Sequence, residues 1–95
     1  MRGSYNFTRA GLRNAGQYGI TPRELWEVIG STSRVFVPVG DRSRFVVGRT
    51  LAGRWLGFLA QESEHEADVW DVVAARELDE QEITNARRVR GDRDA

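Results

Sequence analysis

Cysteine and lysine are absent from this 95-residue sequence, and histidine occurs once. Without cysteine the chain has no disulfide, no thiolate zinc site and no thiol nucleophile, which excludes redox chemistry. The amino terminus carries no apolar core of a secretion signal, and no segment approaches the roughly 18 apolar residues that span a bilayer. We therefore expect a cytoplasmic protein that does not enter a membrane.

The composition is that of a folded protein. Hydrophobic residues make up 40% of the chain and charged residues 29%, so it is too apolar to remain disordered. A chain of this length can close one hydrophobic core but not two. We predict a single domain over residues 1–95, with an ordered core at about 5–88 and a frayed, charged tail at 89–95.

The net charge is zero, but the charges are unevenly distributed. Residues 1–54 contain nine arginines and three acids, whereas residues 55–86 contain one arginine and nine acids. Arginine binds phosphate through two parallel hydrogen bonds, so the basic first half suits a nucleic-acid ligand. Genome composition explains the absence of lysine at least as well.

Three segments carry the signature of a helix start. In each, an N-cap residue follows an apolar residue that can pack against the fourth residue of the helix. The N-cap residues are Thr8, Thr21 and Asp79. Glu24 and Glu82 lie three residues after the second and third of them, where they complete capping boxes.

The helices that follow are short. We predict helices over 9–18 and 22–29, and a third that begins after Asp79. Gly19 and Gly30 are placed to end the first two helices in the left-handed conformation, which glycine adopts without penalty.

From residue 33 to residue 76 the pattern changes to β-branched and aromatic runs separated by turn residues. Four strands are predicted near residues 33–39, 44–50, 54–61 and 68–76, with turns at 40–43 and 51–53. Hairpin connections make the sheet antiparallel, and Pro38, which lacks an N–H donor, places the first strand at an edge. The expected fold class is α+β, with two short N-terminal helices, a four-stranded antiparallel sheet and a C-terminal helix.

The last two strands are apolar on both faces. Trp70, Val72 and Ala74 alternate with Val69 and Val73, so both faces of the sheet should be covered. Three short helices cannot easily cover both faces of four strands. We therefore predict that some apolar sheet surface meets another chain and supports an oligomer.

Three short motifs occur in a distinctive order along the chain. They are the segment 14–20, the segment 47–54 with Arg49 and Arg54, and the segment 73–76, which ends in Arg76 and is followed six residues later by Glu82. Together with the order of helices and strands, these motifs resemble the BrnT family of bacterial toxins, whose fold is related to RelE-type ribonucleases. The resemblance covers residues 5–88.

The resemblance implies the toxin component of a type II toxin–antitoxin module. Such a toxin is an endoribonuclease that cleaves mRNA without a metal or other cofactor. A cognate ribbon-helix-helix antitoxin silences it, and the toxin shares in repressing the operon.

The sequence departs from the family after the first helix. Where the family typically has Lys-His-Gly, this chain has Gln17, Tyr18 and Gly19, so two candidate catalytic groups are replaced. A second interpretation keeps the fold but makes the chain a catalytically silent binding module, which pairs with a DNA-binding antitoxin-type partner through its apolar sheet face.

Metal-free RNA cleavage needs a base, an acid and a cation for the charge that develops on phosphorus. We predict that Arg76 supplies the cation, at the end of a strand and on the face of Trp70 and Val72; alternatively, it pairs with an acid near the third helix. Glu82 is a candidate general base, although its capping box gives it a structural role. Tyr18 is a candidate proton donor or stacking residue; alternatively, it packs at the helix end.

Four other arginines are candidate RNA-binding residues. Arg49 and Arg54 flank one hairpin, and Arg42 and Arg44 flank its neighbour, so together they are predicted to track a phosphate backbone. The alternative is a solvated strand face.

Two further patterns are weaker. His65 alternates with acids in a way that resembles a metal site, but a solvated loop is the better interpretation, and no metal is predicted. Trp26, Trp55 and Trp70 are candidate platforms for stacked bases, although core or interface positions explain them better.

Overall fold

The computed structural model describes residues 4–32 and 34–90. The elements are β1 (Ser4–Phe7), α1 (Arg9–Gln17), α2 (Pro22–Ile29), β2 (Val35–Val39), β3 (Ser43–Arg49), β4 (Trp55–Glu62), β5 (Val69–Glu77) and α3 (Glu80–Arg90). The five strands form one sheet in the order β1-β5-β4-β3-β2. The α+β class is confirmed, and the four predicted strands lie within two residues of their predicted positions.

The predicted four-stranded antiparallel sheet is wrong at one edge. The fifth strand, β1, pairs in parallel with β5, with Ser4 opposite Val69 and Phe7 opposite Val72. A strand of four residues is too short to show a period, and its partner lies more than sixty residues away in the sequence. The opposite edge was predicted correctly, because β2, which contains Pro38, is the last strand in this order and pairs with β3.

The helix starts follow the predicted caps. The Thr8 hydroxyl accepts a hydrogen bond from the Gly11 N–H at 3.0 Å, and α2 begins with the complete Thr21–Glu24 capping box. At α3, the Glu82 N–H donates to Asp79 Oδ1 at 2.8 Å, and the Asp79 N–H donates to Glu82 Oε1 at 2.9 Å. These local contacts fix where each helix begins.

The helix ends agree only in part with the sequence. Gly19 is left-handed, with φ of +69°, as predicted, but Gly30 has φ of −87° and does not use the conformation expected of it. The chain instead continues in a turn in which the Ser31 N–H donates to the Val28 carbonyl. Residues 91–95 of the predicted frayed tail lie outside the described residues, and Val89 belongs to α3.

The sheet has two differently covered faces. The face beneath α1 and α2, here called the α1–α2 face, contributes Val46, Phe58 and Val72 to the larger core. The opposite face, here called the α3 face, packs Val47 and Trp55 against α3. Both faces are therefore covered, but α3 covers only part of its own.

A β-bulge in β5 changes which residues share a face. Ala60 is opposite Val72 but Leu59 is opposite Ala74, so Val73 is an extra residue in the ladder. The prediction that Arg76 shares a face with Trp70 and Val72 is therefore wrong. Because the bulge interrupts the two-residue alternation, Arg76 lies on the α3 face.

Candidate functional site

The candidate site lies along the edge of β5. The strand β1 pairs with the first half of this edge, and α1 lies beside the second half. The Thr8 hydroxyl donates to the Val72 carbonyl at 2.8 Å, and the Ala75 N–H donates to Asn14 Oδ1 at 2.8 Å. The Thr8 N–H donates to the same Val72 carbonyl at 3.3 Å, so Thr8 and Asn14 together satisfy backbone groups on both sides of the bulge, at an edge of the sheet. The C-terminal end of α1 is thereby held beside the end of β5.

Glycine at position 11 makes this close approach possible. A Cβ atom there would lie 2.1 Å from the Val72 carbonyl oxygen, so no other residue fits without moving the helix. By helix propensity alone, Gly11 is an unfavourable residue within a helix. Its packing role depends on a contact with β5 that the sequence does not reveal.

Tyr18 and Arg76 meet in a small surface pocket on the α3 face. The pocket has a volume of about 70 Å³ and is lined by Asn14, Tyr18, Phe45, Ala74, Ala75 and Arg76. The Arg76 guanidinium lies 5.4 Å from the centre of the Phe45 ring, and Tyr18 is 48% exposed. A cation and a hydroxyl-bearing aromatic residue thus border one accessible space.

Glu82 reaches Arg76 from the first turn of α3. Nη1 of Arg76 lies 2.7 Å from Oε1 of Glu82, and Nη2 lies 2.5 Å from Oε2, so the pair is bidentate. Nη1 also donates to the Glu77 carbonyl at 3.3 Å. The Arg76 side chain remains 41% exposed, and within residues 4–32 and 34–90 its Nε–H has no protein acceptor.

The ion pair determines the charge of Glu82. The hydrogen bonds from Arg76, together with the Asp79 backbone N–H, lower the pKa of Glu82 to about 2. Burial opposes this shift but does not cancel it. A carboxylate with so low a pKa is ionised at neutral pH and accepts a proton poorly. The geometry therefore favours a positioning role for Glu82, which orients Arg76, over the predicted general base.

Arg54, a candidate RNA-binding residue from the sequence, lies instead in a second group of ion pairs within the protein. Its guanidinium contacts Glu77 at 2.7 Å, Glu24 at 3.1 Å, the Tyr18 carbonyl at 2.8 Å and the Gly19 carbonyl at 3.2 Å. It lowers the pKa of Glu77, and it adds to the Thr21 backbone hydrogen bond in lowering the pKa of Glu24. A phosphate could bind Arg54 only by displacing these partners.

The contacts of Arg54 also bear on the pocket. Tyr18 ends α1, and its carbonyl is one of the orphan acceptors at that helix end. Arg54 donates a hydrogen bond to this carbonyl, and the same guanidinium also pairs with Glu24 on α2 and with Glu77 on β5. Arg54 is therefore a positioning residue that holds Tyr18 beside Arg76.

The four candidate RNA-binding arginines do not form one cluster. Arg42 and Arg44 flank the first residue of β3, whereas Arg49 is its last residue and Arg54 follows in the next turn, roughly 20 Å away for a strand of this length. Arg44 is on the α1–α2 face, whereas Arg49 is on the α3 face. The hairpins are adjacent in sequence, but an extended strand separates their tips.

The two arginines at the start of β3 have partners within the protein. Arg44 packs against the rings of Phe36 and Trp70 at 4.2 and 4.1 Å from their centres, and it donates to the Tyr5 hydroxyl. Arg42 forms an exposed ion pair with Glu62 at 3.4 Å.

Arg49 lies opposite Trp55 in the sheet register, 5.6 Å from the centre of its ring. The guanidinium of Arg87, which sequence reasoning missed, lies 5.9 Å from the same ring centre. No motif marks Arg87. The sequence feature that could have identified it is its spacing, because Arg87 follows Ile83 by four residues and therefore shares the helix face that packs on the sheet.

The remaining candidates from the sequence are His65 and the tryptophans, and the structure gives each of them a local packing or loop position. His65 lies in an exposed loop, where its backbone N–H donates to the Ser63 hydroxyl, and the described residues contain no group of three or more ligands that could hold a metal ion. Trp55 is buried in the core, whereas Trp26 is 52% exposed and packs on Phe7.

Comparison of the sequence with protein-family profiles found no matching family, and comparison with curated proteins found no significant match. Within the part of the chain that the structure describes, no helix is both long and apolar enough to cross a membrane.

Proposed function

We propose that this chain is the toxin component of a type II toxin–antitoxin module, with a BrnT-like fold related to RelE. It acts in the cytoplasm as an endoribonuclease that cleaves mRNA without a metal. The observation that carries the proposal is that Tyr18, at the end of α1, and Arg76, on β5, line one accessible pocket, while Glu82 from α3 holds Arg76 in a bidentate pair.

Each residue has a distinct role in the proposed reaction. Arg76 binds the scissile phosphate and stabilises the charge that develops as the 2′-oxygen attacks phosphorus. The bond from phosphorus to the 5′-oxygen breaks, and the Tyr18 hydroxyl gives its proton to that oxygen. The proton of the 2′-hydroxyl passes to a hydroxide ion from solvent, which becomes water, because both carboxylate oxygens of Glu82 accept hydrogen bonds from Arg76.

Antitoxin binding is proposed at the part of the α3 face that α3 leaves open. A groove of about 160 Å³ runs between β2 and α3, with Val37, Phe45 and Val89 among its apolar walls and Glu82 at one side. Val37 and Val39 on the edge strand are 42% and 46% exposed. A cognate ribbon-helix-helix antitoxin that covered this groove would also obstruct the Arg76 pocket, since Phe45 and Glu82 belong to the surroundings of both.

A second candidate function is a catalytically silent binding module that keeps the fold and pairs with a DNA-binding antitoxin-type partner. The bidentate pair between Arg76 and Glu82 favours it, because this pair leaves no strong base in the pocket. In this function Arg76 serves only to fasten α3 to β5.

Induced expression in bacteria separates the two functions. Growth and total RNA integrity are followed for the wild type, for Arg76→Ala and Tyr18→Phe, and for Arg88→Ala as a control on the exposed side of α3. The proposed toxin arrests growth and cleaves RNA, Arg76→Ala abolishes both effects, and Arg88→Ala retains them. Healthy cells with intact RNA after wild-type induction would support the silent module.

Purified protein then tests the chemistry directly. A fluorescent single-stranded RNA is incubated with folded wild-type protein in the presence of EDTA, and the products are resolved on a gel. Cleavage that persists in EDTA supports a metal-independent reaction, whereas cleavage that EDTA abolishes contradicts it.

A further inference from the structure

Asn14 presents an amide group of fixed orientation in the pocket that Arg76 lines. Its Oδ1 accepts the Ala75 N–H at 2.8 Å, and only the oxygen of an amide side chain can accept that proton. Nδ2 is therefore a donor, and within residues 4–32 and 34–90 it has no protein acceptor. The buried unpartnered side-chain atoms in these ranges do not include Nδ2, so a ligand in the pocket can reach it.

Phe45 forms an aromatic wall of the same pocket. Its position depends on Gly57 in β4, because a Cβ atom there would lie 2.5 Å from Cζ of the ring. The Arg76 guanidinium lies 5.4 Å from the centre of the ring, within the range of a cation–π contact. The side chain is only half-buried, so part of an ordered aromatic surface remains accessible. A nucleobase can stack on such a surface.

The two groups together suit a nucleobase better than a bare phosphate. The aromatic ring offers a stacking surface, and the amide offers an N–H₂ donor whose direction is already fixed. Such a donor needs an acceptor on the ligand. Uracil and guanine present a keto oxygen, whereas adenine presents an amino group in its place, which would set one donor against another.

We propose that Asn14 and Phe45 form a base-reading subsite that prefers a base with a keto oxygen, such as uracil or guanine, over adenine. The subsite deepens the proposed function and rests on it. Arg76 binds the 3′-phosphate of the nucleotide whose base is read, so cleavage follows uridine or guanosine in preference to adenosine. Asn14 is then a specificity-determining residue that takes no part in proton transfer.

Two mononucleotides of equal size test the donor. Inosine 3′-monophosphate carries a keto oxygen where adenosine 3′-monophosphate carries an amino group. Binding is followed by NMR titration of isotope-labelled protein, because the side-chain N–H₂ signals of Asn14 report directly on Nδ2. We expect the wild type to bind the inosine nucleotide about fivefold more tightly, as one net hydrogen bond predicts. The Asn14 N–H₂ signals should shift more with inosine than with adenosine.

Asn14→Asp is the matched variant. An aspartate oxygen can still accept the Ala75 N–H, while the N–H₂ donor is lost, so the preference for inosine should disappear. Gln17→Glu is the charge control, because it adds the same negative charge one helical turn away and outside the pocket lining. It should weaken both nucleotides equally and keep the preference. Urea denaturation shows whether each variant is folded, and the wild-type signals of Asn14 need no variant.

Phe45→Leu tests the stacking surface separately. It keeps an apolar side chain but removes the ring, so it should weaken both nucleotides by about fivefold and retain the preference for inosine. A folded Phe45→Leu protein that binds both nucleotides like the wild type would remove the ring from the subsite.

The subsite and the nuclease can fail separately when RNA cleavage is measured in parallel. Wild-type protein that prefers the inosine nucleotide without cleaving RNA retains the subsite and contradicts the nuclease. Wild-type protein that cleaves RNA but binds the two nucleotides equally retains the nuclease and contradicts the subsite. Tighter binding of the adenosine nucleotide, binding of neither nucleotide, or a preference for inosine that survives in Asn14→Asp would also overturn the subsite.

Discussion

Arg54 and Arg76 lie at similar places in the fold but are used differently. Each joins the end of a strand to the first turn of a helix through a capping-box glutamate, Glu24 for Arg54 and Glu82 for Arg76. Arg54 also binds a second carboxylate and two carbonyl oxygens, and its side chain is 27% exposed. Arg76 binds one carboxylate and is 41% exposed.

The difference shows which of the two guanidinium groups is available to a ligand. Arg54 donates hydrogen bonds to the carbonyls at the end of α1, and little of its guanidinium is accessible to a ligand. Arg76 is held in a fixed orientation by Glu82 but retains an exposed side and an Nε–H without a protein acceptor among residues 4–32 and 34–90. The same residue type in the same local setting is thus structural in one case and accessible in the other.

The largest effect is expected from Arg76→Ala. If the proposed mechanism holds, loss of the cation assigned to the phosphorane should lower the rate of RNA cleavage by about 100-fold or more. The rate is measured with a fluorescent RNA, and the free energy of unfolding with urea. Arg76→Lys, which keeps the charge, should lose less activity. A folded Arg76→Ala protein that cleaves at the wild-type rate would remove Arg76 from the site.

Arg54→Gln should act mainly on stability. The substitution leaves helix-end carbonyls and a partly buried carboxylate without their donor, so the free energy of unfolding should fall by about 2 kcal/mol after allowance for partial exposure. Urea denaturation measures the change. Arg23→Gln is the control, because the Arg23 side chain is 86% exposed. Equal effects of the two substitutions would contradict the structural role of Arg54.

Glu82→Gln should have a smaller, pH-dependent effect. Arg76, together with the Asp79 backbone N–H, lowers the pKa of Glu82 from 4.5 to about 2, so the ionised carboxylate stabilises the fold above about pH 5, and this contribution is lost as the pH falls toward 2. The wild type should exceed the variant by about 1 kcal/mol near pH 7, and by less than half of that near pH 3. A difference that stays constant between these pH values would refute the linkage.

Arg42→Gln should have the smallest effect. The pair between Arg42 and Glu62 is exposed on both sides, at 64% and 46%, and water screens it. The free energy of unfolding should change by less than about 0.5 kcal/mol in urea denaturation. A loss as large as that expected for Arg54→Gln would show that exposure does not distinguish the ionic centres.

The sequence carried more information on which candidate residues lie close together than on the contacts that they make. Arg76 and Glu82 were selected from one motif and Tyr18 from another; in the fold Tyr18 and Arg76 line one pocket, and Glu82 pairs with Arg76. The role of Glu82 depends on two hydrogen bonds from Arg76, which lower its pKa. A pair between Arg76 and an acid near the third helix was the alternative prediction from the sequence, and Glu82 is that acid. Arg87 escaped notice because its partner, Trp55, is on another element.

The bulge in β5 shows why the face of Arg76 was predicted incorrectly. Alternation along a strand assigns faces only while the ladder is regular, and the extra residue Val73 reverses the assignment beyond it. The bulge is accommodated by Thr8 and Asn14, which lie some sixty residues earlier in the sequence.

The sequence by itself determined the helix starts, the hairpin turns and the four main strands. These features depend on residues within a few positions of one another, such as the Thr21–Glu24 box. The tertiary structure alone decided the fifth strand, the face on which Arg76 lies, and which arginines are engaged within the protein. Those outcomes depend on contacts between distant segments, whose free energy is not encoded in any local pattern.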